Sequence, residues 1–264
     1  MGPLNRQDGF TLIEMMVAIA ISMIVVGGAF SAFTYQDKVL RSQGYVTEMQ
    51  QNVRAVMDMM VGEVQMAAYG IPSANLAWID WVAMGSNPQI TDGGAGNPDT
   101  ISFAAAFDGT LGTLAGAEPA NSSSIDLSSA TEAANFDTAT KKLFLLGYNE
   151  LGEIKNVVGN TLQVDMNGPG AGNTNTASDY IAGAAVERIK VITYSLSGTN
   201  LMRNENQGDG DQILAENIED FQVSQAGNTV TITVTARTEK PDPDYGGDGY
   251  RRITVPIEIN LRNG

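Results

Sequence analysis

The chain has 264 residues and a mass of 27.9 kDa, enough for one large domain or two small ones, and its 30 acidic against 15 basic residues leave a net charge of −15. With 43% hydrophobic and only 17% charged residues it folds rather than remaining an acidic disordered tail, and the excess of acid argues against a nucleic-acid partner, which needs clustered Lys and Arg. There is no cysteine and no histidine, which excludes disulfides, Cys/His zinc sites, c-type haem, iron–sulfur clusters and catalysis of the Cys-His or Ser-His-Asp kind; an exported domain of this length buries enough core to do without disulfides.

Residues 1–9, MGPLNRQDG, read as a short polar leader. Residues 10–33 are an apolar run with a single charge, Glu14, and its 24 residues are enough to cross a bilayer core at ~1.5 Å per residue. The run is longer than the roughly 7–15 apolar residues of a secretory signal, and Arg6, the leader's one basic residue, is offset by Asp8. An uncleaved single-span anchor is the plain alternative. Neither explains Glu14: a charge inside hydrocarbon is costly unless it lies at the membrane edge or is paired, and the residue alone leaves both readings open. Gly27 and Gly28 interrupt the run, either as close-packing positions of a bilayer helix or as a place where the helix loosens on leaving the bilayer.

The string Gly9-Phe10-Thr11-Leu12-Ile13-Glu14, followed by MMVAIAISMIVV, resembles the N-terminus of type IV prepilins. The resemblance implies that a prepilin peptidase cuts after Gly9 and N-methylates Phe10. It also implies that Glu14, the fifth residue of the mature chain, pairs with a subunit's terminal amine during assembly. Asp8 beside the cut departs from the family, which usually has basic residues there.

After the span, Val39, Val46, Met49, Val53, Val56, Met60, Val64 and Ala67 recur at helical spacing, with Asp37, Lys38, Arg41, Glu48, Arg54, Asp58 and Glu63 mainly off that stripe. The stripe predicts an amphipathic helix packed on a sheet or, given its methionines, a coiled-coil contact. Gly70 and Pro72 predict that it ends near Tyr69. From there the chain becomes β-prone. Short strands are expected at 100–107 and 142–148, a strand at 187–196 turned by Ser197-Gly198 into 199–203, another at 219–225, and two with strict alternation: Val230, Ile232, Val234, Ala236, then Ile253, Val255, Ile257, Ile259, Leu261. Pro256, on the outward face of the last, predicts an edge strand or a bulge. Stretches 84–99, 108–124 and 167–178 read as loops.

The expected fold class is therefore α+β: leader 1–9, a membrane-spanning half-helix over 10–35, an amphipathic half over 36–70, and a β-rich head over 71–264 carrying an antiparallel sheet with long loops. This is the pilin architecture. QQNVRAVMDMMVGEVQMAAYG at 50–70, VERIKVITYSLSGTNLMRN and ILAENIEDFQV resemble PilW-type minor pilins and the related J-type pseudopilins of type II secretion. That resemblance implies a non-enzymatic minor pilin that helps initiate type IV pilus assembly and forms part of the tip complex. Its partners would be prepilin peptidase, other minor pilins, the major pilin, an inner-membrane assembly platform and a tip adhesin. Its location would be the inner membrane as a single-pass protein, then the extracellular pilus. The alternatives are a minor pseudopilin of a type II secretion or competence system, and a major pilin or other pilin-like protein.

Two chemical readings compete with a purely structural one. No motif singles out a glycosidase-like pair among the 30 acids. Residues 205–216, ENQGDGDQILAE, place Glu205, Gln207, Asp209 and Glu216 at EF-hand offsets, with Asp211 between them, and DPDYGGDGYRR holds Asp242, Asp244 and Asp248. Calcium there competes with a solvated Gly-rich turn, and no other cofactor is expected.

Overall fold

The computed structural model describes residues 10–71, 86–148, 150–166, 175–206 and 208–262. It opens with a single long helix, α1 (Leu12–Val64). There follow β1 (Gln89–Thr91), β2 (Thr100–Ala105), β3 (Thr110–Thr113), β4 (Ser124–Asp126), a one-turn α2 (Ala130–Ala133), β5 (Leu143–Leu146), β6 (Glu150–Val158) and β7 (Thr161–Asp165). The chain continues with β8 (Ala185–Arg188), β9 (Lys190–Ser197), β10 (Asn200–Asn204), β11 (Gln212–Ala215), β12 (Ile218–Ala226), β13 (Thr229–Arg237) and β14 (Arg252–Asn260). They form three antiparallel sheets, ordered β1-β2-β9-β10-β11, β12-β13-β14 and β3-β8-β5-β6-β7-β4. The α+β class and the long N-terminal apolar helix are as the sequence leads one to expect.

The stripe of α1 is a core face. Met49, Val53, Val56, Met57, Met60, Val64 and Ala67 are buried against Phe103, Tyr194, Phe221 and Ile232, so that the five- and three-stranded sheets share one core with the helix. Each fully buried side chain of this kind contributes ~1.5–3 kcal/mol. The stripe outruns its cover at the lower end: Val46 only borders the core and Val39 is 36% exposed. Asp99 ties the two sheets together, donating its own N–H to the Phe221 carbonyl (2.7 Å) and accepting from the Val223 N–H (2.8 Å) and the Gly93 N–H (3.0 Å).

The helix stops at Val64 rather than near Tyr69. From there the backbone tightens into turns with bonds three residues back, Met66 N–H to Glu63 O and Ala67 N–H to Val64 O. Ala68 then swings to φ +62° and gives its N–H to Ala104 O on β2 (2.9 Å), while Ala106 N–H reaches Tyr69 O (3.0 Å). The sheet's free backbone groups thus compete successfully for the last helical turn. Gly70 has φ +77°, and a Cβ there would sit 3.0 Å from that of Ala106, so the residue is needed for both conformation and close approach.

The expected strand at 187–196 is two. Ile189 gives its N–H to Leu143 O (3.0 Å), and the ribbon leaves the six-stranded sheet, as β8, for the five-stranded one, as β9. The expected loops at 84–99 and 108–124 contain β1, β3 and the start of β4, and α2, β6, β7 and β11 were not expected. Residues 167–174, in the third expected loop, lie outside those described. The six-stranded sheet and α2 enclose a separate core of Leu114, Leu127, Phe136, Phe144 and Val186 among others. Ile71, Ala104, Leu145 and Ile189 form the junction between the lobes. β14 is an edge strand, with Pro256 opposite Thr233.

A chain of alternating charges locks the upper end of α1 to the sheet. Arg203 grips Glu63 with two bonds (2.7 and 3.1 Å) and Glu205 with a third (2.7 Å), and the Tyr194 hydroxyl donates to Glu63. Lys190 continues it from Glu205 (3.3 Å) to Asp108 (2.7 Å), which also holds Arg188. Burial alone would raise the carboxyls of Glu205 and Asp108. The hydrogen bonds of Arg203 to the first, and of Lys190 and Arg188 to the second, outweigh it and hold both below the usual carboxylate range.

Two outcomes are expected. A fragment beginning at Gln36 keeps the whole buried face and should fold as a monomer. In it, Val53→Asp puts an unpaired charge where the side chain is 2% exposed and should cost roughly 4 kcal/mol or more, read as loss of the cooperative thermal transition. Arg203→Met should cost ~3–5 kcal/mol in urea unfolding, because two carboxylates lose their buried cation. Since Glu205 and Asp108 titrate lower in the folded chain than in the unfolded one, their contribution is complete above the ordinary carboxylate pKa of about 4 and is lost as pH falls through their folded values. The wild-type fragment should therefore lose stability on acidification below about pH 4, and Arg203→Met should lose less over that range.

Candidate assembly and anchoring site

Among the described residues, the part of α1 from Leu12 to Phe33 packs against no other element. Phe10 is 90% exposed, and the large apolar side chains from Leu12 to Phe33 are exposed on all sides. α1 is the one helix among the described residues long and apolar enough to cross a membrane. Its polar side chains are satisfied internally: Ser22 Oγ donates to Ala18 O (2.7 Å), Ser31 Oγ to Gly27 O (2.9 Å) and Thr34 Oγ1 to Ser31 O (2.9 Å). The helix runs unbroken through Gly27 and Gly28, where an added Cβ would meet nothing within 4 Å.

Glu14 is engaged at the helix start. Thr11 is the N-cap, and its hydroxyl accepts the Glu14 N–H (3.3 Å). In return Glu14 Oε2 accepts both the Thr11 N–H and the Thr11 hydroxyl, each at 2.9 Å. This is a capping box: threonine, two residues, glutamate, closing two otherwise unsatisfied donors at the helix N-terminus. The signal is present in the sequence, as Thr11 stands three residues before Glu14. The arrangement puts the carboxylate one turn from Phe10, at the N-terminal end of the helix. Gly9, the other residue of the expected cleavage site, lies outside the described residues.

The residues considered for calcium are otherwise occupied or apart. Glu205 is held by Arg203 and Lys190, and Asp211 accepts from Asn204 Nδ2 (2.7 Å). Gln212–Ala215, expected as part of a twelve-residue loop, is instead β11, paired with β10, and Glu216 follows it. Asp209 is exposed, and Gln207 lies outside the described residues. Asp242, Asp244 and Asp248 each pair with a cation, Arg251 (2.9 Å), Lys38 (2.7 Å) and Arg252 (2.5 Å). Among the described residues no three acidic side chains converge on a metal-sized space. Glu63, read from the sequence as lying off the apolar stripe, proves to be the α1 side chain that Arg203 and Tyr194 hold.

Comparison with known proteins bears on the N-terminus. Residues 4–30 match the model of the prokaryotic N-terminal methylation motif, a stretch that includes Gly9, Phe10, Thr11 and Glu14. No curated protein and no solved structure matches the chain. The matched stretch, about a tenth of the chain, supports a type IV prepilin-like N-terminus, and the helix that carries it is long and apolar enough to anchor the chain in a membrane.

Proposed function

We propose that the chain is a PilW-type minor pilin that helps start type IV pilus assembly and sits in the tip complex. The observation that carries this reading is the methylation motif on residues 4–30, joined through one uninterrupted helix to a large two-lobed head. The head's size supports a tip place, since a bulky head is harder to stack along a dense shaft. The role is structural rather than catalytic. Partners are prepilin peptidase, the assembly platform, other minor pilins, the major pilin and a tip adhesin. The strings VERIKVITYSL and ILAENIEDFQV support a second reading, a minor pseudopilin of a secretion system, which differs in the filament it joins rather than in chemistry.

Processing follows from the same reading. In cells with a prepilin peptidase the mature chain should begin at N-methylated Phe10, nine residues shorter than the precursor, as read by intact mass and N-terminal sequencing. Gly9→Val should leave the precursor uncut, because a branched side chain does not fit where the peptidase accepts glycine. A mature chain still beginning at Met1, or cut near Ala32, would remove the basis of the proposal.

Assembly is tested at Glu14. Removing its charge makes the span more apolar, so Glu14→Ala should still insert and still be cut. The processed mutant should collect in the inner membrane while few filaments form, counted in a strain whose only copy is the mutant. Loss of pili with secretion intact supports the minor pilin; loss of secretion with pili intact supports the pseudopilin. Normal filament numbers with the mutant at the tip would refute an assembly role for this carboxylate.

A further inference from the structure

The connection between β13 and β14, residues 238–251, folds down against the lowest exposed turns of α1. Asp244 pairs with Lys38 (2.7 Å), Ser42 Oγ donates to Asp242 Oδ2 (3.0 Å), and Lys240 stands 5.8 Å from the centre of the Tyr45 ring. Arg251 closes the loop on itself, bound to Asp242 (2.9 Å) and lying 4.9 Å over Tyr245. Each contact is partly exposed and weak alone, but three of them tie the loop to two turns of the helix.

The level of those turns is set by the span. The apolar run ends at Phe33, and a rise of about 1.5 Å per residue puts Lys38 ~7–8 Å beyond it. The headgroup region adds about 5–8 Å to the hydrocarbon on each side, so Lys38 stands at its outer boundary and the Asp244 bound to it shares that height. Tyr35 and Tyr245, 66% and 46% exposed, supply aromatic rings of the kind enriched at membrane interfaces. Charge supports the same placement. Residues 35–45 and 238–251 hold four basic and five acidic residues, so all but one unit of the chain's −15 lies elsewhere. A strongly acidic head would be repelled by an anionic bilayer, whereas this base is close to neutral.

We propose that the 238–251 loop and the first turns of α1 beyond the span form a collar that rests against the outer edge of the phospholipid headgroup layer, fixing the height and tilt of the head on the membrane before assembly. The contact is continuous with the span, and the proposal rests on the reading of α1 as a membrane helix. The chain's lack of cysteine permits single fluorescent labels in the full-length protein, reconstituted in phosphatidylethanolamine–phosphatidylglycerol vesicles. Gly246→Cys reports on the loop: its position is exposed, an added Cβ meets nothing within 4 Å, and no left-handed backbone is required. Ser22→Cys reports on the span, and Ser224→Cys on the far end of β12. Headgroup spin-labelled lipid should quench the Gly246 label several-fold more than the Ser224 label, while acyl-chain spin-labelled lipid quenches the Ser22 label. Quenching at 246 no greater than at 224, with 22 still quenched, overturns the collar alone. An unquenched label at 22 overturns the span and the collar together.

Discussion

One uninterrupted helix in two media is the constraint on which the rest of the molecule depends. Over the first half of α1 the side chains must be apolar on every side, because hydrocarbon surrounds them; over the second half only one face is apolar, because a sheet covers one side and water the other. The backbone solves both problems with the same internal hydrogen bonds, so the change of medium needs no change of structure, and the helix is continuous from Leu12 to Val64. Continuity has a mechanical consequence. Whatever orients Met49–Ala67 against the sheets also orients the span, since no hinge intervenes. Gly27 and Gly28 are the weak points of that rod by intrinsic propensity, yet they sit within helix on both sides.

The same economy applies to the charge in the span. In the isolated subunit Glu14 is bound to the Thr11 amide and hydroxyl, so a carboxylate at the edge of hydrocarbon is hydrogen-bonded before any neighbour arrives. On the proposed processing, cleavage after Gly9 creates an ammonium on Phe10, one residue from the cap. The carboxylate then has two claimants, the local cap donors and a cationic amine. A charged partner makes the stronger hydrogen bond, and in a helix bundle the desolvated carboxylate gains most from it. An acid already hydrogen-bonded by its own chain carries part of its desolvation cost locally, and on the proposed reading it exchanges these neutral donors for a cationic partner when packing removes water.

How much of this was legible in the sequence depended on which interactions leave a local trace. The span, the stripe and the strands β12–β14 did, because burial of one face imposes a period on adjacent residues; Val230 to Ala236 and Ile253 to Ile259 face inward as their alternation requires. The motif at Gly9 to Glu14 was legible because it is contiguous. What failed to show depends on distant partners. β6 holds Gly152 and several charges and has no clean alternation, yet Gly152 is where the Phe144 ring crosses the strand, 2.6 Å from where a Cβ would be. The switch between sheets at Ile189 lies inside a seamless β-prone run, and only Leu143, far away in the chain, marks it. Glu63 and Arg203 are 140 residues apart, and neither position alone distinguishes a buried ion pair from a solvated charge. The end of α1 was misplaced for the same reason: Ala104 O, not Gly70, draws the backbone away at Ala68.

The division of the core bears on what the head is for. The helix is held by the cluster it forms with the five- and three-stranded sheets, and by the grip of Arg203 on Glu63. Among the described residues the six-stranded lobe adds none to that cluster, and its own core of Leu114, Phe144 and Val186 contains none from α1. It is attached through the small junction around Ala104, Leu145 and Ile189 and by Lys190, which links Glu205 to Asp108. A lobe with its own core that does not hold the helix is not explained by anchoring or by the stability of the stem. In a shaft, where each head must fit against copies of itself, such an addition constrains packing. At a tip the same lobe is free to meet a different partner, and this separation of cores supports placing the proposed minor pilin there.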